Sequence, residues 1–180
     1  MVRLIAKSPF ARQLPVEIAG ITITEVAPDP VTSVAPYRGQ EAAAGAALSV
    51  LGLGWPEPGQ TQADGAARIV WAGRSMALLM GVRPPEGLEA RAALVDQTGA
   101  FAMVALSGPA IDEVLARLVP VDLRLPVFPV GATRRTLIGH MTGSVTRTAE
   151  DTIEIAVMRS MGETLLHDLT RAIGVWSARP

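Results

Sequence analysis

The sequence predicts one α+β domain with a mixed, largely antiparallel sheet and packed helices. Several short segments alternate apolar and β-branched residues with polar ones at a period of two, which is typical of half-buried strands. Two other segments repeat apolar residues at helical spacing. With 180 residues, of which 49% are hydrophobic, the chain is long enough to bury a substantial core of its own.

The first half of the chain predicts a strand, a helix and a pair of strands. The Ala-rich helix is apolar around most of its circumference, so we expect it to be buried. In chain order these predicted elements are a strand at 18–26, a loop with three prolines at 27–38, the helix at 40–53, a loop at 54–65 and a β-hairpin with strands at 68–71 and 76–80.

The second half of the chain predicts the same order of a strand, a helix and paired strands. A helix is expected to open with Pro109 at its first position, and the last helix to begin with a capping box between Ser160 and Glu163. The predicted elements are a turn at 83–87, a central strand at 100–106 that is apolar on both faces, a helix carrying Ile111, Val114, Leu115 and Leu118, a crossing at 120–131, a three-strand meander at 133–141, 144–147 and 152–157, and a final helix carrying Leu165, Leu166, Leu169 and Ile173.

The repeated rhythm predicts two ferredoxin-like halves within one domain. We expect a single domain over residues 1–180, in which an extended N-terminal segment at 1–17 precedes halves at 18–98 and 99–177. The sequence shows no detectable internal repeat.

Composition excludes several classes of function. A formal net charge of −1, with no basic cluster, makes nucleic acid an unexpected partner. The absence of cysteine excludes thiolate catalysis, disulfides and Cys-ligated metals. The first ten residues lack a secretory apolar core, and the most apolar run, at 42–53, is too short to cross a bilayer, so we expect a cytoplasmic protein without membrane contact.

Catalytic and metal-binding residues are not expected on this chain. The two histidines, His140 in a predicted strand and His167 beside Asp168 in the last helix, are too few for a zinc site. Each is more simply a satisfied structural or interface residue. The serines lack a nucleophile elbow, so acyl transfer has no support.

Arg134, Arg135 and Trp71 form the one combination that suggests a ligand. Two arginines could hold the anionic tail of a folate, and an indole could stack on a flat ring. A solvated strand face and a core tryptophan explain the same residues more simply. No cofactor-binding residue is therefore assigned.

An ordered set of short segments in the C-terminal half resembles the gamma subunit of heterotetrameric sarcosine oxidase. The resemblance extends more loosely to the hairpin at 68–80. Its segments are VDQT at 95–98, LSGPA at 106–110 with VL at 114–115, PVDL at 120–123, FPVG at 128–131, TLIGH at 136–140 and VMRS at 157–160.

The resemblance implies a fold related to the folate-binding domain of aminomethyltransferases and a non-catalytic accessory role. The parent complex would demethylate sarcosine oxidatively to glycine and pass the one-carbon unit to tetrahydrofolate. FAD, FMN, NAD and zinc would be held by other subunits, with no cofactor on this chain. The alpha subunit would be the main contact, with beta and delta in the same complex, and self-association of the isolated chain could cover the same surface.

Three alternatives stay open. The parent complex could be a related N-methyl amino acid oxidase or dehydrogenase. The chain could be a free-standing folate-binding protein, or an independent enzyme whose site is scattered over the loops at 27–38 and 54–65.

Overall fold

The alternating segments build two antiparallel sheets that carry helices on their outer faces. A computed structural model describes residues 7–11 and 13–179. Its strands are β1 Val16–Ile18, β2 Ile21–Glu25, β3 Val31–Pro36, β4 Thr61–Asp64, β5 Ala67–Gly73, β6 Met76–Met80, β7 Ala92–Asp96, β8 Phe101–Ser107, β9 Thr133–Ile138, β10 Met141–Ala149 and β11 Thr152–Met158. The α-helices are α1 Glu41–Leu48, α2 Ile111–Leu115 and α3 Gly162–Ser177.

The strands are divided between a large sheet and a small sheet. The large sheet has six strands in the order β1-β2-β8-β11-β10-β9, and the small sheet has five in the order β4-β5-β6-β3-β7. Every pairing is antiparallel. The predicted α+β class is confirmed, as are the hairpin β5–β6, the central place of β8 and the meander β9–β10–β11.

Each sheet has a helix-backed core on its outer face. Val104, Ile155 and Leu169 are fully buried where α2 and α3 cover the large sheet. A second cluster packs α1 against the small sheet. The inner faces meet through a much smaller cluster of Val31, Val70, Met80 and Met103. The weakest apolar packing is therefore between the sheets.

Two predicted loops contain strands, so those predictions were wrong in part. β3 lies inside the predicted loop at 27–38 and is an inner strand of the small sheet. Its Val31 and Val34 are buried, and Pro36 closes the strand after pairing with β6 has ended at Val34. Proline is tolerated at such a position because no neighbour requires its missing N–H. β4 likewise lies in the predicted loop at 54–65 and pairs with β5.

The helices differ from prediction at their ends. α1 buries only Ala44 and Leu48, so the expectation that this helix is buried was wrong. Pro109 lies before α2 and not at its first position, because Ala110 adopts a left-handed conformation with φ 54°. Ser160 lies in a one-turn 3-10 helix that leads into α3, and no side-chain hydrogen bond caps the helix, so the capping box is absent. The predicted apolar face of α3 is buried as expected.

A buried arginine fixes the long connection that follows α2. Arg147 on β10 is 2% exposed, and its Nε donates a hydrogen bond of 2.7 Å to the carbonyl of Phe128. Its other nitrogens donate to the carbonyls of Leu123 and Glu150. Burial lowers the pKa of Arg147 from its usual value. The guanidinium thus ties two loops to the end of the large sheet.

The first described residues are anchored to the same sheet. Phe10 is fully buried in the core beneath α3. Ser8 donates a hydrogen bond of 2.7 Å to Glu25, and Arg159 donates one to the carbonyl of Lys7. Residues 7–11 therefore belong to the folded core.

Candidate binding cavity between the two sheets

One row of side chains across the large sheet explains why the two sheets do not pack tightly. Arg135, Ser144, Ala156 and Met103 are directly paired across β9, β10, β11 and β8, so they share the face that looks toward the small sheet. Packed sheets lie about 10 Å apart, and the middle two side chains are too short to span that gap. A hollow is left at the centre of the row.

The small sheet contributes the opposite wall. Val70 and Leu78 face the hollow from paired positions on β5 and β6. A bulge inserts Ala72 between Trp71 and Gly73. Successive side chains of a regular strand point to opposite faces, but both Trp71 and Ala72 line this cavity. The bulge thus allows Trp71, which is partly exposed, to line the cavity as well.

The resulting cavity has a volume of about 280 Å³. Its lining is mainly apolar and includes four methionines, whose flexible side chains adapt to different shapes. The apolar lining residues are Val70, Trp71, Ala72, Met76, Leu78, Met80, Phe101, Met103, Gly143, Ala156, Val157 and Met158. Protein interiors are normally close-packed, so a mainly apolar, partly open cavity of this size between two sheets is a feature to be explained.

A partly buried ion pair joins the two sheets at the wall of the cavity. Arg68 of β5 lies 2.7 Å from Glu154 of β11, and the two side chains are 18% and 14% exposed. Arg68 also contacts the sulfur of Met80. The pair leaves no net charge at this wall.

The two neighbouring arginines of β9 have different roles. Arg135 is exposed at the mouth of the cavity, as expected for a solvated strand face, and its Nη1 donates a hydrogen bond of 2.8 Å to the carbonyl of Ala72. Among the described residues no carboxylate lies within ion-pair distance of it. Arg134 donates instead to the carbonyls of Gly59 and Thr133 and lies over the ring of Phe128. The two therefore do not act as a clamp.

Trp71 is half-buried at the cavity rim, so the expectation that it is a core tryptophan was wrong. Sequence reasoning also missed Arg68 and Glu154. In β11, Ile153, Ile155 and Val157 point to one face of the sheet and predicted its buried side. Glu154 and Ala156 point to the opposite face. One charged and one small residue on that face were the sequence signal for a cavity with a polar wall.

The histidines lie away from this cavity. His140 is exposed in the turn between β9 and β10, so its predicted place within a strand was wrong. His167 is exposed on α3. Within residues 7–11 and 13–179, no three potential metal-ligating side chains come together. The structural or interface role expected for both histidines stays a prediction.

A second depression of about 430 Å³ lies beside the anchored residues 7–9. It shares Gln97, Phe101 and Met103 with the cavity, so these side chains separate the two spaces.

Within the described residues, no helix has the length and apolarity needed to cross a membrane.

Comparison with solved structures defines the class of the fold. A chain of the heterotetrameric sarcosine oxidase from Corynebacterium sp. U-96, solved in complex with pyrrole 2-carboxylate, matches with a TM-score of 0.81 and 24% identity over 97% of this chain and 98% of that one. The glycine cleavage system aminomethyltransferase T from Bartonella henselae matches with a TM-score of 0.53 and 17% identity over 84% of this chain and 45% of that one. The protein therefore has an aminomethyltransferase-like fold, as the resemblance implied.

A family model narrows this class. The model of the sarcosine oxidase, gamma subunit family matches residues 27–173. The chain belongs to that family, which confirms the resemblance. Among curated proteins no sequence matches.

Proposed function

We propose that the chain is a non-catalytic accessory subunit of a cytoplasmic heterotetrameric sarcosine oxidase. The observation that carries the proposal is the family match over residues 27–173, supported by a structural likeness that spans nearly the whole of both chains. In that complex the large alpha subunit is the main contact, with beta and delta alongside. FAD, FMN, NAD and zinc are held by those subunits, and tetrahydrofolate accepts the one-carbon unit.

The physical contribution of such a subunit is buried area. A partner that binds only the assembled state stabilises it by mass action, without taking part in the chemistry. Several large apolar side chains are exposed on the described surface and could supply that area. Loss of the chain should therefore lower the yield and stability of the assembled complex more than its turnover.

Omission of the chain tests this role. When alpha, beta and delta are co-expressed without it, we expect a lower yield of complex and a lower melting temperature, with an unchanged turnover per bound flavin in whatever assembles. Adding back the purified chain should restore the yield. Equal yield and melting temperature without the chain would falsify the accessory role.

We further propose that the connection at 123–131 takes part in the contact. Leu125, Val127 and Val130 are exposed there, 38%, 54% and 51%, while buried Arg147 fixes the backbone. A pre-ordered loop loses little conformational entropy when it binds, which favours its use in an interface.

Val127→Asp should reduce the amount of alpha subunit that co-purifies with the tagged chain by at least about tenfold, since an unpaired carboxylate would be buried on binding. Val50→Asp is the matched control, because Val50 is 74% exposed and lies in the one-turn 3-10 helix that follows α1, outside the loop at 123–131. Equal co-purification of the two variants would remove the loop from the interface.

Free-standing folate binding is the second candidate, because a cavity with Trp71 and Arg135 at its rim offers a place for a ring and an anion. The same affinity purification separates the two functions. A yellow eluate with further subunits supports the accessory role, and a colourless lone chain supports folate binding. Turnover of sarcosine against N-methylglutamate by the recovered complex then decides between sarcosine oxidase and a related N-methyl amino acid oxidase.

A further inference from the structure

The cavity between the sheets is not required by an accessory role. A subunit that contributes only buried area is most stable with a close-packed interior, since every void forfeits dispersion contacts along its lining. Here short side chains at Ser144 and Ala156 hold the void open in the middle of the large sheet. We therefore expect a ligand to fill this space.

The charges at the cavity define the occupant's charge. The charged residues that line it are Arg68, Arg135 and Glu154. Arg68 and Glu154 neutralise each other at 2.7 Å, so Arg135 is left as one uncompensated cation. Its hydrogen bond to the carbonyl of Ala72 orients the guanidinium beside the rim and leaves other N–H groups available. An organic monoanion complements this set.

Shape and size define the rest of the ligand. The indole of Trp71 and the ring of Phe101 offer flat apolar surfaces, and Leu78 and the flexible methionines complete the apolar lining around them. Ligand pockets commonly span about 300–1,000 Å³, and 280 Å³ lies just below that range. One ring system fits better than an extended molecule.

We propose that the cavity binds a small planar monocarboxylate of one aromatic ring system, with its ring between the sheets and its carboxylate on Arg135. This binding function lies beyond the accessory role and does not depend on it. It can be measured on the isolated full chain, so failure of this proposal and failure of the assembly proposal are distinguishable.

Isothermal titration calorimetry with indole-3-carboxylate tests the proposal. We expect saturable binding of one molecule per chain, and indole-3-methanol, which lacks the charge, should bind about two- to fivefold more weakly because loss of the charge removes a charge-assisted hydrogen bond to the exposed Arg135. Absence of saturable binding up to millimolar probe would overturn the proposal. Tighter binding of tetrahydrofolate than of indole-3-carboxylate would also overturn it and favour the folate-binding alternative.

Three variants locate the bound probe. Arg135→Gln should weaken binding about two- to fivefold, whereas Arg74→Gln should leave it unchanged, because Arg74 is an exposed arginine at the tip of the β5–β6 hairpin outside the cavity. Ala156→Leu should abolish binding by filling the hollow. A thermal melt checks that each variant is folded, and Arg135→Gln keeps the test decisive if Ala156→Leu is not. Unchanged affinity in a folded Ala156→Leu or Arg135→Gln variant would place the probe elsewhere and contradict the proposal.

Discussion

Replacing Arg147 with methionine should lower the free energy of unfolding by about 3–5 kcal/mol, because three carbonyl acceptors lose their donor and each loss costs about 1–3 kcal/mol. Methionine preserves much of the volume, so the loss comes from the hydrogen bonds to the carbonyls of Phe128, Leu123 and Glu150. Buried acceptors left without donors are costly. Urea denaturation followed by circular dichroism measures the change.

The matched control lies in the loop that Arg147 fixes. Arg124 is exposed and pairs with Asp122, and Arg124→Met should leave the urea midpoint unchanged because solvent-exposed pairs contribute little. Equal midpoints for wild type and Arg147→Met would show that the buried guanidinium does not support the fold.

The second large effect is expected at the start of the chain. Phe10→Ala should cost about 3–5 kcal/mol, since a fully buried aromatic ring is replaced by a cavity in the core beneath α3. Thermal unfolding by calorimetry should show a clear fall in melting temperature. Leu125→Ala, at a 38% exposed position, provides the comparison and should change it little.

An unchanged melting temperature in Phe10→Ala would mean that residues 7–11 do not dock in solution. The result matters for the design of truncated chains, because Phe10 lies outside residues 27–173 of the family match. A chain that begins at residue 27 would lack this anchor and two strands of the large sheet.

Local patterns predicted those parts of the fold whose burial is decided within a few residues. Two patterns each predicted one buried face. They are the alternation of Ile153, Ile155 and Val157 in β11 and the helical spacing of Leu165, Leu166 and Leu169 in α3. The same reasoning failed at β3, where three prolines suggested a loop. Two of them precede the strand and one closes it, so none removes a hydrogen bond from its interior.

The cavity could not be read from the sequence because it depends on register. Arg68 and Glu154 meet although they are far apart along the chain, and Arg135 reaches Ala72 across the gap between the sheets. A shift of one residue in any strand would turn these side chains to the other face. Arg147 did leave a local signal, since it is in phase with buried Val145 and an arginine on a core face calls for internal partners.

The crossing of β2 into the large sheet also constrains how the protein can be made. β2 cannot pair until β8 has been synthesised about 80 residues later, and the other edge of β8 pairs with β11 near the end of the chain. Pairings between segments so distant in sequence form slowly, because the entropy of closing the loop is lost before the contacts form. During translation the emerging first half would expose the apolar edge of β2 and the unpaired inner face of the small sheet. We therefore expect this chain to depend on chaperones or on prompt capture by its partner for high yield, and to fold poorly as separate halves.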